Sequence, residues 1–215
     1  PENRMLSRGP RFRMPSWMLR DHALSASGLL TREIGGNPVN TYQPDGVWEE
    51  ASFGKKRYNR DKGDNLYRRS LYTFWRRIIA PPAFFDNANR QTCSVKPFRT
   101  NTPLHALYLL NDITFVESSR VIAETILKKY PGNDDEKLDF VFRHLLSRQP
   151  EAQERKILLN KLSRSRKAYG VDPGSAQAFV SIGEYPRDDS LDPVEHAAWT
   201  ALTLAVLNLD EALTK

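Results

Sequence analysis

One cysteine, Cys93, is all that the 215 residues hold. That excludes an internal disulfide, a CxxCH haem-attachment site and any zinc cage built from several cysteines. It is read most simply as a small buried residue. Long apolar runs are also missing. The longest, Ala197 to Leu209, is broken by Thr200, Thr203 and Asn208 and falls short of the roughly 20 residues a membrane-spanning helix needs. No cationic, apolar and small-residue triplet opens the chain, so no signal peptide is legible. Pro1-Glu2-Asn3-Arg4-Met5 is itself expected to be an internal beginning, which leaves export open. His22, His105, His144 and His196 show no HxxxH or HxH spacing. A glycine-rich phosphate loop, a GxSxG elbow and an HExxH motif are absent from the sequence, so catalysis by this chain alone has no support there.

What is present is ordinary for a folded chain: 40% hydrophobic and 27% charged residues, with a formal net charge of +6. The charge is uneven. Residues 55–77 carry nine basic side chains against two acids, whereas residues 184–215 carry two basic side chains against seven acids. The two segments are expected to pair with each other rather than with separate partners.

Helix signals dominate. Pro15 opens a segment with Met18, His22, Ser25 and Leu29 on one face, which Gly35-Gly36 is expected to end. Residues 67–79 alternate aromatic and basic side chains and are expected to be helical up to Pro81-Pro82. Thr102-Pro103 reads as an N-cap and first helical residue, and Thr114 with Glu117 as a capping box. Phe115, Ser119, Ile122, Ile126 and Tyr130 follow at helical spacing until Pro131-Gly132. Residues 134–147 form a helix with Leu138, Val141 and Leu145 inward. The helix after Pro150 is expected to turn Ile157, Leu158 and Leu162 to the core and to leave Arg155, Lys161, Arg164 and Arg166 solvated. A short helix is expected over 175–182. Asp192 caps the last one, whose two apolar faces (Trp199, Leu202, Val206, Leu209 and Leu213; Leu204 and Leu207) make it central. The expected fold is all-α: one helical domain over residues 1–215, an irregular multi-helix bundle with two long ordered loops, about 35–65 and 81–101. Loops of that length are commonly functional.

Several segments carry a family resemblance. They are Gly35-Gly36-Asn37-Pro38-Val39 with Tyr42-Gln43-Pro44-Asp45-Gly46-Val47-Trp48; Arg68 to Trp75; Arg99 to Leu104; Leu110-Asn111-Asp112; and, at the end, Ala198-Trp199-Thr200 and Leu207 to Glu211. Together they resemble the planctomycete-specific C-terminal domain known as domain of unknown function 1553. The resemblance implies an extracytoplasmic bacterial setting, periplasmic or at the cell surface. It also implies upstream domains of the same protein, among them a cytochrome-like one that would hold haem, while this stretch itself holds no cofactor. It implies no established activity. His105 stands where the family pattern leads one to expect glutamine.

Three groups of residues are candidates for binding. Tyr42 and Trp48, with Glu49 and Glu50, lie in the first long loop; ordered aromatics beside charged groups suit a glycan or another polar ligand. Arg69, Tyr72 and Trp75 interleave cations with aromatics, which suits sugar or base stacking, or equally a helix with a covered core face. Nucleic acid is the weakest of these readings, because no binding-module pattern accompanies the charge. Asp86 and Arg90, in the second irregular stretch, are expected to join the surface of the first loop, while Arg99, Asn101 and His105 flank the start of the helix at Pro103, where free amides beside an arginine suit an anion. Helix capping explains most of the same residues. Two functions follow. The first is a non-catalytic accessory domain that binds a neighbouring domain, a protein or a polysaccharide. The second is part of an enzyme site for polysaccharide or redox chemistry, completed upstream. If Asp86, Arg99, Asn101, His105 and Asp112 line one open pocket, the second gains; if they are tied to one another, they are scaffold.

Overall fold

The structure is a computed structural model that describes residues 5, 7, 9, 11–76, 79–88, 92–95 and 99–214. Among the described residues, nine α-helices run in the order α1 (Ser16–Ser27), α2 (Val47–Ala51), α3 (Pro103–Asn111), α4 (Ile113–Lys129), α5 (Asp134–Leu146), α6 (Ala152–Val171), α7 (Pro173–Val180), α8 (Pro193–Leu207) and α9 (Asp210–Leu213). Three short 3₁₀ turns, at 63–67, 70–72 and 82–84, punctuate the two long connections. Among the described residues there is no strand, only isolated bridges. The fold is all-α, and no helix of the described residues is long and apolar enough to cross a membrane.

Helix α8 is central because it is apolar on more than one side. It packs against α4, α6 and α7. Trp199, Leu202 and Val206 are fully buried in a cluster with Ile122 and Ile126 of α4, Leu138, Val141 and Leu145 of α5, and Leu158 and Leu162 of α6. A second cluster joins Leu19 and Ala23 of α1 to Leu109, Phe115, Leu204 and Leu213. Asp192 caps α8, its Oδ2 accepting from the Glu195 amide at 2.9 Å.

Several local expectations are overturned. Helix α1 ends at Gly28, in the left-handed conformation at φ 79°, not at Gly35-Gly36. Residues 67–76 are not a helix. Their backbone pairs with a segment some 35 residues earlier: the Thr31 amide donates to Tyr67 at 3.0 Å, Val39 to Tyr72 at 2.8 Å and Phe74 to Val39 at 2.7 Å. At α4 the cap is Asp112, whose Oδ1 accepts from the Thr114 amide at 3.0 Å, so Thr114 lies inside the helix and Glu117 is free for another task. Ile157 is 57% exposed on α6 while Leu158 and Leu162 are buried. Arg166 is not simply solvated but grips Asp134 and Glu195. Leu209 is 36% exposed beyond the end of α8, and Cys93 is exposed. Between the basic and acidic segments, one ion pair forms among the described residues, Arg60 with Glu184 at 3.3 Å.

Candidate functional site

Two buried arginines organise the first long connection. Arg20 of α1, 1% exposed, donates to the carbonyls of Arg68 (2.9 Å) and Leu66 (2.7 Å) and to the Ser70 hydroxyl (3.2 Å). Arg68 in turn donates to the carbonyls of Asn37 (3.1 Å), Glu33 (3.3 Å) and Gly35, and lies 4.0 Å over the Tyr72 ring. A guanidinium offers five donors in a rigid fork, so each satisfies several carbonyls that no helix or sheet would use. The irregular backbone is thereby tied to α1 and to itself.

A third anchor is Glu117, fully buried on α4. Its carboxylate accepts from the hydroxyls of Tyr42 (3.1 Å) and Tyr67 (2.9 Å) and from the Tyr185 amide (2.7 Å), with Arg120 at 3.9 Å. Burial, with the Glu117 charge second, raises the pKa of both phenols, so they stay donors.

Residues 84–87 tie the second long connection to the first. Phe84 packs on Trp75 with centroids 5.6 Å apart, and Phe85 stacks on His105 at 4.1 Å. Asp86 accepts from both the amide and the hydroxyl of Thr100 at 2.7 Å. Asn87 completes the wall of a groove.

That groove, about 590 Å³, runs between the start of α1, residues 69–75 and residues 84–87. Trp17 (42% exposed) and Trp75 contribute indoles, and Phe74 and Leu71 further apolar surface. Its polar lining includes Arg69, Asp21 and Thr73. Asp21 is occupied, its Oδ1 accepting from the Ser70 amide at 2.8 Å and lying 3.7 Å from Arg20. A second cavity of about 240 Å³ lies between Tyr42, Gln43, Tyr108 and Asp112. Asp112 accepts from the Tyr108 hydroxyl there, and burial raises the pKa of its carboxyl.

Of the residues singled out in the sequence, Arg69 and Trp75 come together in the groove. Tyr72 stands behind it, its hydroxyl accepting from the Gly35 amide at 2.8 Å. Trp48 is buried behind the wall, stacked on Phe74 at 5.9 Å and on Tyr58 at 5.3 Å. Tyr42 is held by Glu117. Arg99 lies 5.1 Å over the Phe12 ring and Asn101 is exposed. Arg90 falls outside the described residues. Asp112 lines the smaller cavity, whereas Asp86, Arg99, Asn101 and His105 line neither, so the five do not form one open pocket. No sequence signal offers Trp17, Asp21 or Asn87 for binding, because it is the fold that brings α1 and residues 84–87 beside residues 69–75.

The molecule is thus an all-α protein in which two long irregular connections, fastened by buried charges, build an aromatic groove on a helical core. The chain belongs to the family of proteins of unknown function DUF1553 (PSD1), whose model matches residues 1–162. Both cavities lie wholly inside that match; α7, α8 and α9 lie beyond it. No curated protein and no solved structure matches the chain.

Proposed function

We propose that this chain is a non-catalytic interaction domain that binds polysaccharide in the groove between α1 and residues 69–75. The observation that carries this reading is two indoles, Trp17 and Trp75, in one open groove with polar groups beside them. Aromatic faces suit the apolar C–H faces of a pyranose ring, and polar neighbours suit its hydroxyls. Arg20 and Arg68 support the reading by holding the groove's backbone ready, which lowers the ordering cost of binding. The groups that would argue for catalysis are engaged with one another, as in the contacts of Asp86 with Thr100 and of Tyr108 with Asp112. The family resemblance supports an extracytoplasmic setting beside upstream domains of the same protein.

Calorimetric titration of the 215-residue chain with soluble neutral and acidic oligosaccharides tests the reading. Binding should appear with at least one of them, and Trp17→Ala should weaken it about tenfold while leaving the unfolding midpoint nearly unchanged, since that side chain is half exposed. An absence of binding across the panel, or equal binding by the variant, would refute it.

A further inference from the structure

The two charged groups in the groove are not equally engaged. Its lining holds one carboxylate and one guanidinium among the described residues, Asp21 and Arg69. The carboxylate is spent within the fold, on the Ser70 amide at 2.8 Å and on buried Arg20 at 3.7 Å. Arg69, in contrast, is exposed and has no acidic partner among the described residues. Its neighbours in sequence behave differently: Arg68 is buried on three carbonyls and Arg76 lies 5.7 Å over Trp48. One more polar group in the lining is unused. The Thr73 hydroxyl, on a residue 8% exposed, has no hydrogen-bond partner.

Resting on the reading of the groove as a polysaccharide site, we propose that its ligand is an acidic sugar. A carboxylate or sulfate ester is held by the Arg69 fork while the ring lies on indole. A guanidinium pairs two-pronged with either anion, and does so more strongly where aromatic walls limit water. Neutral sugar would leave Arg69 without an anion, and a cationic sugar would meet repulsion.

The experiment compares matched oligosaccharides that differ only in charge, by calorimetry at low and at moderate salt. One pair is oligogalacturonate against its methyl ester; the other is a sulfated galactan oligosaccharide against its desulfated form. At least one acidic member should bind about tenfold or more tightly than its neutral partner, and the pair that shows this identifies carboxylate or sulfate as the anion. Arg69→Gln should abolish the difference between the acidic and neutral members, and Arg69→Lys should restore part of it. Lys55→Gln/Lys56→Gln, outside the groove, should change the difference little. Equal binding of acidic and neutral members, or an equal loss from the Lys55/Lys56 pair, overturns the acidic preference and leaves the groove reading standing. Failure of every oligosaccharide to bind overturns both.

Discussion

Glu117 carries a carboxylate to a point with no solvent exposure, and it is tolerated because two phenols, one amide and Arg120 surround it. Glu117→Ala leaves those donors and the Arg120 charge without their acceptor. It should cost about 3–5 kcal/mol in urea unfolding. Gly183 belongs to the same centre: it holds φ 99°, and a Cβ there would lie 2.7 Å from Cγ of Glu117 and closer still to the carboxylate. Gly183→Ala combines backbone strain with overpacking and should cost about 2–4 kcal/mol by the same measurement. None of this was legible in the sequence, where Glu117 fits a capping box equally well. A glutamate three residues from a threonine looks the same whether it faces a helix end or a buried tyrosine pair.

His196 gives a second prediction at this scale. It is fully buried, with Nε2–H donating to the Arg120 carbonyl at 3.0 Å and Nδ1 accepting from Arg187 at 3.4 Å, so the ring is neutral. Burial pushes its pKa below the ordinary 6.5. The unfolded chain therefore binds a proton that the folded one refuses, and stability falls as pH drops below about 6.5, at up to about 1.4 kcal/mol per pH unit. Unfolding free energies measured between pH 7 and pH 5 should show this slope, and His196→Gln should flatten it.

Among the elements, the helices with a continuous apolar stripe were the legible ones. Leu138, Val141 and Leu145 of α5, and Trp199, Leu202 and Val206 of α8, face inward as their spacing predicts, because periodicity directly reports a buried face. Residues 67–76 carry a helix-like alternation and are not helical. Their amides and carbonyls pair with residues 31–39, and Arg20 collects the carbonyls left over. A pattern of side chains cannot reveal a distant backbone partner.

The start of α6 gives a prediction that belongs to an element. Glu154 accepts from the Glu151 amide at 2.8 Å and takes a two-pronged contact from Arg148 at 2.7 Å, while Arg148 also reaches Glu211 of α9 at 2.8 Å. The Arg148 guanidinium is the main reason the Glu154 carboxyl titrates at about 2, well below its ordinary 4.5. A depressed acid stabilises the fold above the unfolded value and loses that contribution as pH falls from about 4.5 to 2. Glu154→Gln should remove part of the acid-induced loss in that window and cost about 1 kcal/mol at pH 7, from the weakened helix start. The two windows, below 6.5 for His196 and below 4.5 for Glu154, separate the histidine from the carboxylates in one titration.

At the scale of the molecule, the helical core acts as a platform and the two long connections make the site. Phe84 joins them through Trp75, Phe85 fastens the second to α3 through His105, and Asp86 braces the second internally through Thr100. Half of the groove could be read from the sequence, since the alternation of cations and aromatics marks Arg69 and Trp75. The other half comes from α1 and from residues 84–87, which only the fold brings near. The chain's four tryptophans divide between the two roles: Trp17 and Trp75 line the groove, whereas Trp48 and Trp199 are buried at 5% and 0% exposure. They supply internal probes and internal controls. The most direct test of the groove as a polysaccharide site is a titration of the ¹⁵N-labelled chain with oligosaccharide, followed at the four indole N–H resonances. The Trp17 and Trp75 signals should shift and saturate together while that of Trp199 stays fixed and that of Trp48 moves little. Unmoved Trp17 and Trp75 signals, or shifts spread evenly over all four, would contradict that reading of the groove.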